Sequence, residues 1–216
     1  IHVPFLKNIS VETSIESASQ VIDTINESHA MDCLNWPDEF PEKPTVMFKF
    51  ARIEDGLLIK FFVEEEITVA AYPEDNQPVY KDSCVELFIA PSGDKPYYNF
   101  EFNAIGTLLL GFGADRHNRE KAPAEITQSI KRFSSLGSHP YNNIWNNVPW
   151  QLTVMIPFSS FWHHSGSSFK NNDAKGNFQK CGDDLPVAHY LTWNPILTPK
   201  PDYHQPDFFG LFDFSE

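Results

Sequence analysis

Long apolar runs are missing from this chain of 216 residues. Nowhere do about 18 apolar residues follow one another, the length a membrane-crossing helix needs, so no membrane span is expected. Cysteine is scarce. Cys33, Cys84 and Cys181 are too few to all pair among themselves, and their spacing fits no zinc motif. Basic residues are also few: 16 Lys and Arg stand against 29 Asp and Glu, a net charge of −13. That balance argues against nucleic acid as a partner, because its phosphates need a basic surface, and against anionic membranes. Neutral ligands such as sugars, and cations such as calcium, stay compatible. No G-x-G-x-x-G, phosphate-binding loop or G-x-S-x-G elbow is present.

Rings, by contrast, are plentiful: 19 Phe, 7 Tyr and 5 Trp. The core can absorb the Phe, which leaves some Tyr and Trp for stacking on a ligand. With 41% hydrophobic and 21% charged residues the composition is that of a globular protein with a sizeable core.

Residues 13–28, TSIESASQVIDTINES, predict a helix. Ile15, Ala18, Val21, Ile22 and Ile25 share one side, and Thr13 with Glu16 has capping-box spacing. From residue 45 the apolar period becomes two. TVMFKFARI and LLIKFFVEE flank Glu54-Asp55-Gly56, a hairpin signal. Further strands are expected at CVELFIAP, YYNFEFNAIG, TLLLGFG, EITQSIKRF, WQLTVMIPF and FFGLFDF, and a helical turn after Pro157. Residues 164–186 read as a long polar loop, and the proline-rich stretch 189–207 as largely irregular. The expectation is an all-β, antiparallel β-sandwich (immunoglobulin- or jelly-roll-like) with a short N-terminal helix. It spans 1–216 as a single domain, with 1–40 an extension and helix and 41–216 the sandwich.

The stretch VYKDSCVELFIAP, residues 79–91, carries most of the functional signal. Pairing it with YYNFEFN around Ile89 opposite Tyr98 places Leu87 by Phe100 and Val85 by Phe102 on a core face. The opposite face then carries Phe88 by Asn99, Glu86 by Glu101 and Cys84 by Asn103. Like charges facing across a strand pair repel, so a basic neighbour, a metal, a shared proton or solvent should compensate. A wet sheet face with scattered charges, a ligand floor or a metal site accounts for this pattern. Six residues of strand span about 20 Å. The chain must therefore bend near Asp82 if Tyr80 and Glu86 are to serve one ligand, with Tyr80 on a loop over the sheet.

VYKDSCVELFI, YYNFEFNAIG and HYLTWNP…PDYHQPDFFG resemble the family 9 carbohydrate-binding modules, in the family 9-like branch of Bacteroidetes type, over about residues 40–214. The resemblance implies a β-sandwich that binds sugar without catalysis, between two aromatic rings and polar side chains. A plant-type polysaccharide such as xylan or cellulose is implied as ligand, as are a role in carbohydrate catabolism beside a polysaccharide-degrading enzyme and a secreted, periplasmic or cell-surface setting. Structural calcium is implied in some members. Carried over by position, Tyr80 replaces the family's first stacking Trp, Glu86 is the conserved hydroxyl acceptor, Asn103 its companion, and Trp193 the second ring. Asp82 joins this ligand-binding set. Glu101 stands where sugar-binding members have Arg, which removes a partner for Glu86; restoring Arg there is expected to strengthen binding.

Other chemistry is thinner. Glu86 and Glu101 also suit a xylanase-like glycoside hydrolase, which needs two carboxylates, and the aromatic wall suits a protein-interaction module. Asp202, His204 and Asp207 are weak candidates for a metal site, with turn chemistry among prolines as their bland alternative. Trp36, Trp145, Trp150 and Trp162 read as core or loop packing.

Overall fold

A computed structural model describes residues 1–93, 95–145, 147–170 and 173–215. Asp94 in the expected turn, residues 171 and 172 in the expected loop, and the side chain of Trp145 lie outside this set. Two antiparallel sheets face one another. The first runs in the order His29–Ala30, Thr45–Ile53, Gly56–Glu64, Trp150–Pro157, Lys131–Ser134. The second runs Cys33–Leu34, Tyr190–Thr192, Lys175–Cys181, Cys84–Ala90, Tyr97–Asn103, Leu108–Gly113, Glu120–Lys121, with Gly210–Leu211 added on Lys175–Cys181. Ile67–Ala70 and Tyr141–Trp145 form a separate pair.

The core lies between the sheets, where alternate residues of each point inward. Phe178 of the second sheet stacks on Phe48 of the first, ring centres 3.9 Å apart, and meets Phe50 and Phe61 edge-on. Val85, Leu87, Phe100 and Phe102 are fully buried there. Their register is the one that the apolar pattern predicts: Ile89 opposite Tyr98, Leu87 opposite Phe100, Glu86 opposite Glu101, Cys84 opposite Asn103. Ile53 pairs with Gly56, so the predicted 45–64 hairpin turns on Glu54 and Asp55.

A charged group also sits in this interior. Lys180 is wholly buried, its Nζ 2.7 Å from Glu65 Oε2 and 2.7 Å from His189 Nε2. Trp150 Nε1 donates to the other Glu65 oxygen at 2.8 Å. Burial, and next the Lys180 charge, hold His189 well below the usual imidazole range, so it stays neutral and accepts from the lysine.

The helix runs Ile15–Asp23 and buries Ala18 and Ile22 as its apolar stripe requires. Its cap is Ser14, which accepts from the Ser17 amide, and not the Thr13–Glu16 box; the Thr13 hydroxyl accepts from the Ser10 amide instead. The expected strand at 125–133 is half helix: Ala124–Ser129 coils and only Lys131–Ser134 is extended. Pro123 fixes the backbone just before that helix, and its carbonyl accepts from the Ile126 and Thr127 amides.

The larger correction concerns 164–186. This stretch holds a 3₁₀ turn, Gly166–Lys170, and the strand Lys175–Cys181 in the middle of the second sheet. Polar residues disguise it, because Asn177 and Gln179 are buried on one face and Lys180 on the other. At the C-terminal end FFGLFDF forms only the two-residue strand Gly210–Leu211 and a bridge from Asp213 to His2.

Every residue of Cys84–Ala90 and of Tyr97–Asn103 is buried, so the outer face of the second sheet is covered as well. Val79 and the C-terminal Ile196 and Tyr203 pack there with Trp36, Phe88 and Tyr97. Tyr203 donates to the backbone carbonyls of Lys180 and Leu191, and Trp36 to that of Thr198, which pins the proline-rich stretch over the sheet. Among the described residues no helix is long and apolar enough to cross a membrane.

Candidate functional site

The covering segments leave one part of this outer face open, a cavity of about 410 Å³. Glu86, Glu101 and Leu109 come from successive strands of the sheet; Tyr190 borders the space from the start of the Tyr190–Thr192 strand, and Tyr80 and Arg116 border it from a turn and a loop. Tyr80 reaches it because the chain makes a 3₁₀ turn at Val79–Lys81 and straightens through Asp82 into the strand that begins at Cys84. The bend required by strand length is therefore present.

Glu86 and Glu101 are 2% and 4% exposed. One oxygen of each is bonded. Glu86 Oε1 accepts from the Cys181 thiol at 3.1 Å and the Cys84 thiol at 3.8 Å; Glu101 Oε1 accepts from Asn99 Nδ2 at 2.7 Å. Among the described residues, the second oxygen of each, Oε2, has no hydrogen-bond partner. Gln179, directly opposite Glu86 on the next strand, has neither amide atom bonded among the described residues. Unpartnered buried polar atoms are costly, roughly 1–3 kcal/mol each. Their concentration in one cross-strand row marks a place where a ligand or ordered water completes the bonding.

Burial, and next the charge of Glu101, push the Glu86 carboxyl well above the usual range. Burial raises Glu101 to about 7, against the opposing pull of its Asn99 hydrogen bond and the Arg119 charge. Arg119 answers the question of what compensates two facing carboxylates. It lies just ahead of the neighbouring Glu120–Lys121 strand, donates from Nε to Asn99 Oδ1 at 2.8 Å, and Asn99 passes the contact on to Glu101. Its other nitrogens bond the carbonyls of Tyr97, Gly111, Gly113 and Asp115, and its guanidinium lies 4.4 Å over the Tyr97 ring. A positive charge thus stands behind Glu101, one side chain removed.

The other residues expected at the site have different places. Asp82 and Asn103 are buried and bonded to each other at 2.9 Å; Asp82 also accepts from the Tyr72 amide, and Asn103 from the Thr107 amide. They shape the turns beside the cavity and do not line it. Trp193 is not brought to the cavity. Its backbone amide bonds Phe178, and its ring stacks on Phe212 at the edge of the inner core.

Asp202, His204 and Asp207 do not converge. Asp202 accepts from the His204 amide and Gln205, the His204 ring bonds the Tyr97 hydroxyl, and Asp207 pairs with Lys95. Burial, and next Arg119, hold His204 down to about 3, so it is neutral. Calcium prefers six to eight oxygen ligands, and these three residues do not form such a shell. Sequence reasoning missed Arg119, Tyr190 and Cys181. Arg119 sat within the charged run DRHNRE, and the other two only gain meaning once Lys175–Cys181 is known to be a strand.

Against known proteins, a profile of carbohydrate-binding family 9 matches residues 17–214, and the chain belongs to this family. Among solved structures, one from Bacteroides uniformis, described as a candidate carbohydrate-binding protein, is 36% identical. It covers 100% of this chain and 98% of its own, with a TM-score of 0.93. A family 9 module from Caldicellulosiruptor kristjanssonii in complex with glucose aligns at TM-score 0.60 and 12% identity, over 100% of this chain and 95% of its own. The same organism's module with cellotriose gives 0.60 and 11%, over 99% and 93%. At those identities the likeness concerns the fold. No curated protein sequence matches the chain.

Proposed function

We propose that this protein binds carbohydrate without catalysis, in the cavity over Glu86 and Glu101, and that its ligand is an oligosaccharide or polysaccharide end of xylan or cellulose type. One observation carries the reading: two adjacent buried carboxylates each keep one unbonded oxygen at the floor of an open cavity bordered by Tyr80 and Tyr190. Sugar hydroxyls donate and accept, so they can bond a carboxylate in either protonation state, and tyrosine rings suit the apolar faces of a pyranose. The volume lies within the range of small-ligand sites. Membership of a carbohydrate-binding family and the sugar complexes of two solved relatives support the same reading. A setting outside the cytoplasm, beside a polysaccharide-degrading enzyme, goes with it.

Hydrolysis fits the geometry less well. Glycosidases flank the scissile bond with their two carboxyl groups. Glu86 and Glu101 stand side by side on neighbouring strands and approach a ligand from the same side. The deciding experiment is calorimetry against cello- and xylo-oligosaccharides, with a reducing-sugar assay in parallel. Binding without sugar release, weakened in Glu86→Gln, is expected. No binding at millimolar oligosaccharide would overturn the reading, and sugar release abolished in Glu86→Gln would replace it with a hydrolase.

A further inference from the structure

The two thiols beneath the cavity floor have no part in the sugar reading, yet their placement is specific. Cys84 and Cys181 are directly opposite one another on adjacent strands, and Glu86 follows Cys84 on the same face. Their ligand atoms all lie within 4.8 Å of one another, and all three residues are buried. Small buried cysteines usually serve as apolar filler. Here they enclose a carboxylate that still has an unbonded oxygen.

We propose that Cys84, Glu86 and Cys181 hold a thiophilic divalent cation, zinc or a chemically similar ion, with one coordination position turned to the cavity. The distances suit it. A tetrahedral ion with Zn–S near 2.3 Å and Zn–O near 2.0 Å separates sulfur from oxygen by about 3.5 Å. The two sulfur–oxygen distances to Glu86 Oε1 are 3.1 and 3.8 Å. Two sulfur donors select zinc-like ions and disfavour calcium or magnesium. Glu86 and Cys181 line the cavity, which gives the ion a route in and leaves its fourth position for water or a ligand hydroxyl. Binding exchanges the two thiol protons, and that of Glu86 when its carboxyl carries one, for two metal–sulfur bonds and one metal–oxygen bond; the protons pass to solvent, and nothing is oxidised or reduced.

The test is titration of the reduced full-length chain with Co²⁺ in the absence of sugar, followed by displacement with Zn²⁺. The expected result is a thiolate-to-cobalt charge-transfer band that saturates at one equivalent, together with a rise in melting temperature on adding Zn²⁺. Changes behind a metal's ligands already cost 10–100-fold in affinity. Loss of a ligand in Cys84→Ser, Cys181→Ser or Glu86→Gln is therefore expected to cost about 100-fold or more. The spectrum of the unaltered protein decides the matter even if a serine variant folds poorly. The proposal is overturned if no thiolate band forms, if the band survives in the double serine variant, or if the two cysteines close into a disulfide and the mass falls by two hydrogens. Sugar calorimetry in the presence of a chelator keeps this outcome separate from the fate of the carbohydrate reading.

Discussion

Glu101 faces Glu86 across two strands, and the hydrogen bonds that hold each carboxylate come from opposite sides: thiols for Glu86, Asn99 and behind it Arg119 for Glu101. The pair is therefore asymmetric, with one member raised well above the usual range and the other placed near neutrality.

Stability should fall as pH rises through that interval. In the unfolded chain Glu101 loses its proton near the ordinary glutamate value of about 4.3, whereas in the fold it does so at about 7. The folded state holds the proton longer, so its contribution is complete below the lower value and is lost as pH climbs through the upper one. Glu86 acts in the same sense. Urea denaturation at pH 5.5 and 7.5 should give a lower midpoint at 7.5, and Glu101→Gln should flatten the difference. An unchanged slope in that variant would show that Glu101 is not the titrating group.

Arg119→Met should destabilise the protein by about 1–3 kcal/mol, since Asn99 Oδ1 and several carbonyls lose their donor. It should also move the Glu101 titration further up, readable from the same pH series. For this reason Glu101→Arg, although the resemblance implies Arg at this position, is not expected to strengthen sugar binding. It would bring a second guanidinium beside one already in place, and calorimetry on that variant checks the point.

Tyr80→Ala and Trp193→Ala should separate ligand from fold. Tyr80 borders the cavity, so its loss should weaken an oligosaccharide by about 0.5–2 kcal/mol while the melting point stays nearly constant. Trp193 lies against Phe212. Its removal should lower stability by more than about 1 kcal/mol and leave affinity largely intact. The reverse pattern would return Trp193 to the binding site.

Leu87→Ala should cost about 2–5 kcal/mol in denaturant, as a fully buried side chain between the sheets. A loss under about 0.5 kcal/mol would mean that the inner and outer faces are exchanged.

Alternation made the hairpin of 84–90 and 97–103 readable down to its register, because shifting it by one residue would bury carboxylates in place of Leu87 and Phe100. It failed for 175–181, where Asn177, Gln179 and Lys180 are buried and the pattern carries no apolar rhythm. Without that strand, neither Cys181 nor the Gln179–Glu86–Glu101 row could be placed. Trp193 looked like a platform because it neighbours motif residues in sequence. Its direction, however, depends on Phe178 and Phe212, which sequence spacing does not relate to it. Arg119 was hidden for the same reason: its link to Glu101 passes through the side chain of a third residue.

The buried lysine gives the cavity a kind of index mark. Slide the Lys175–Cys181 strand by one residue and Lys180 leaves Glu65, whose other oxygen is held by Trp150. Such a slip would strand a carboxylate in the interior, at a cost of several kcal/mol. The same slip would take Cys181 away from Cys84 and Gln179 away from Glu86 on the far face. An ion pair on the face of the sheet opposite the cavity therefore dictates, through the thickness of a single sheet, which side chains meet at the floor of the cavity.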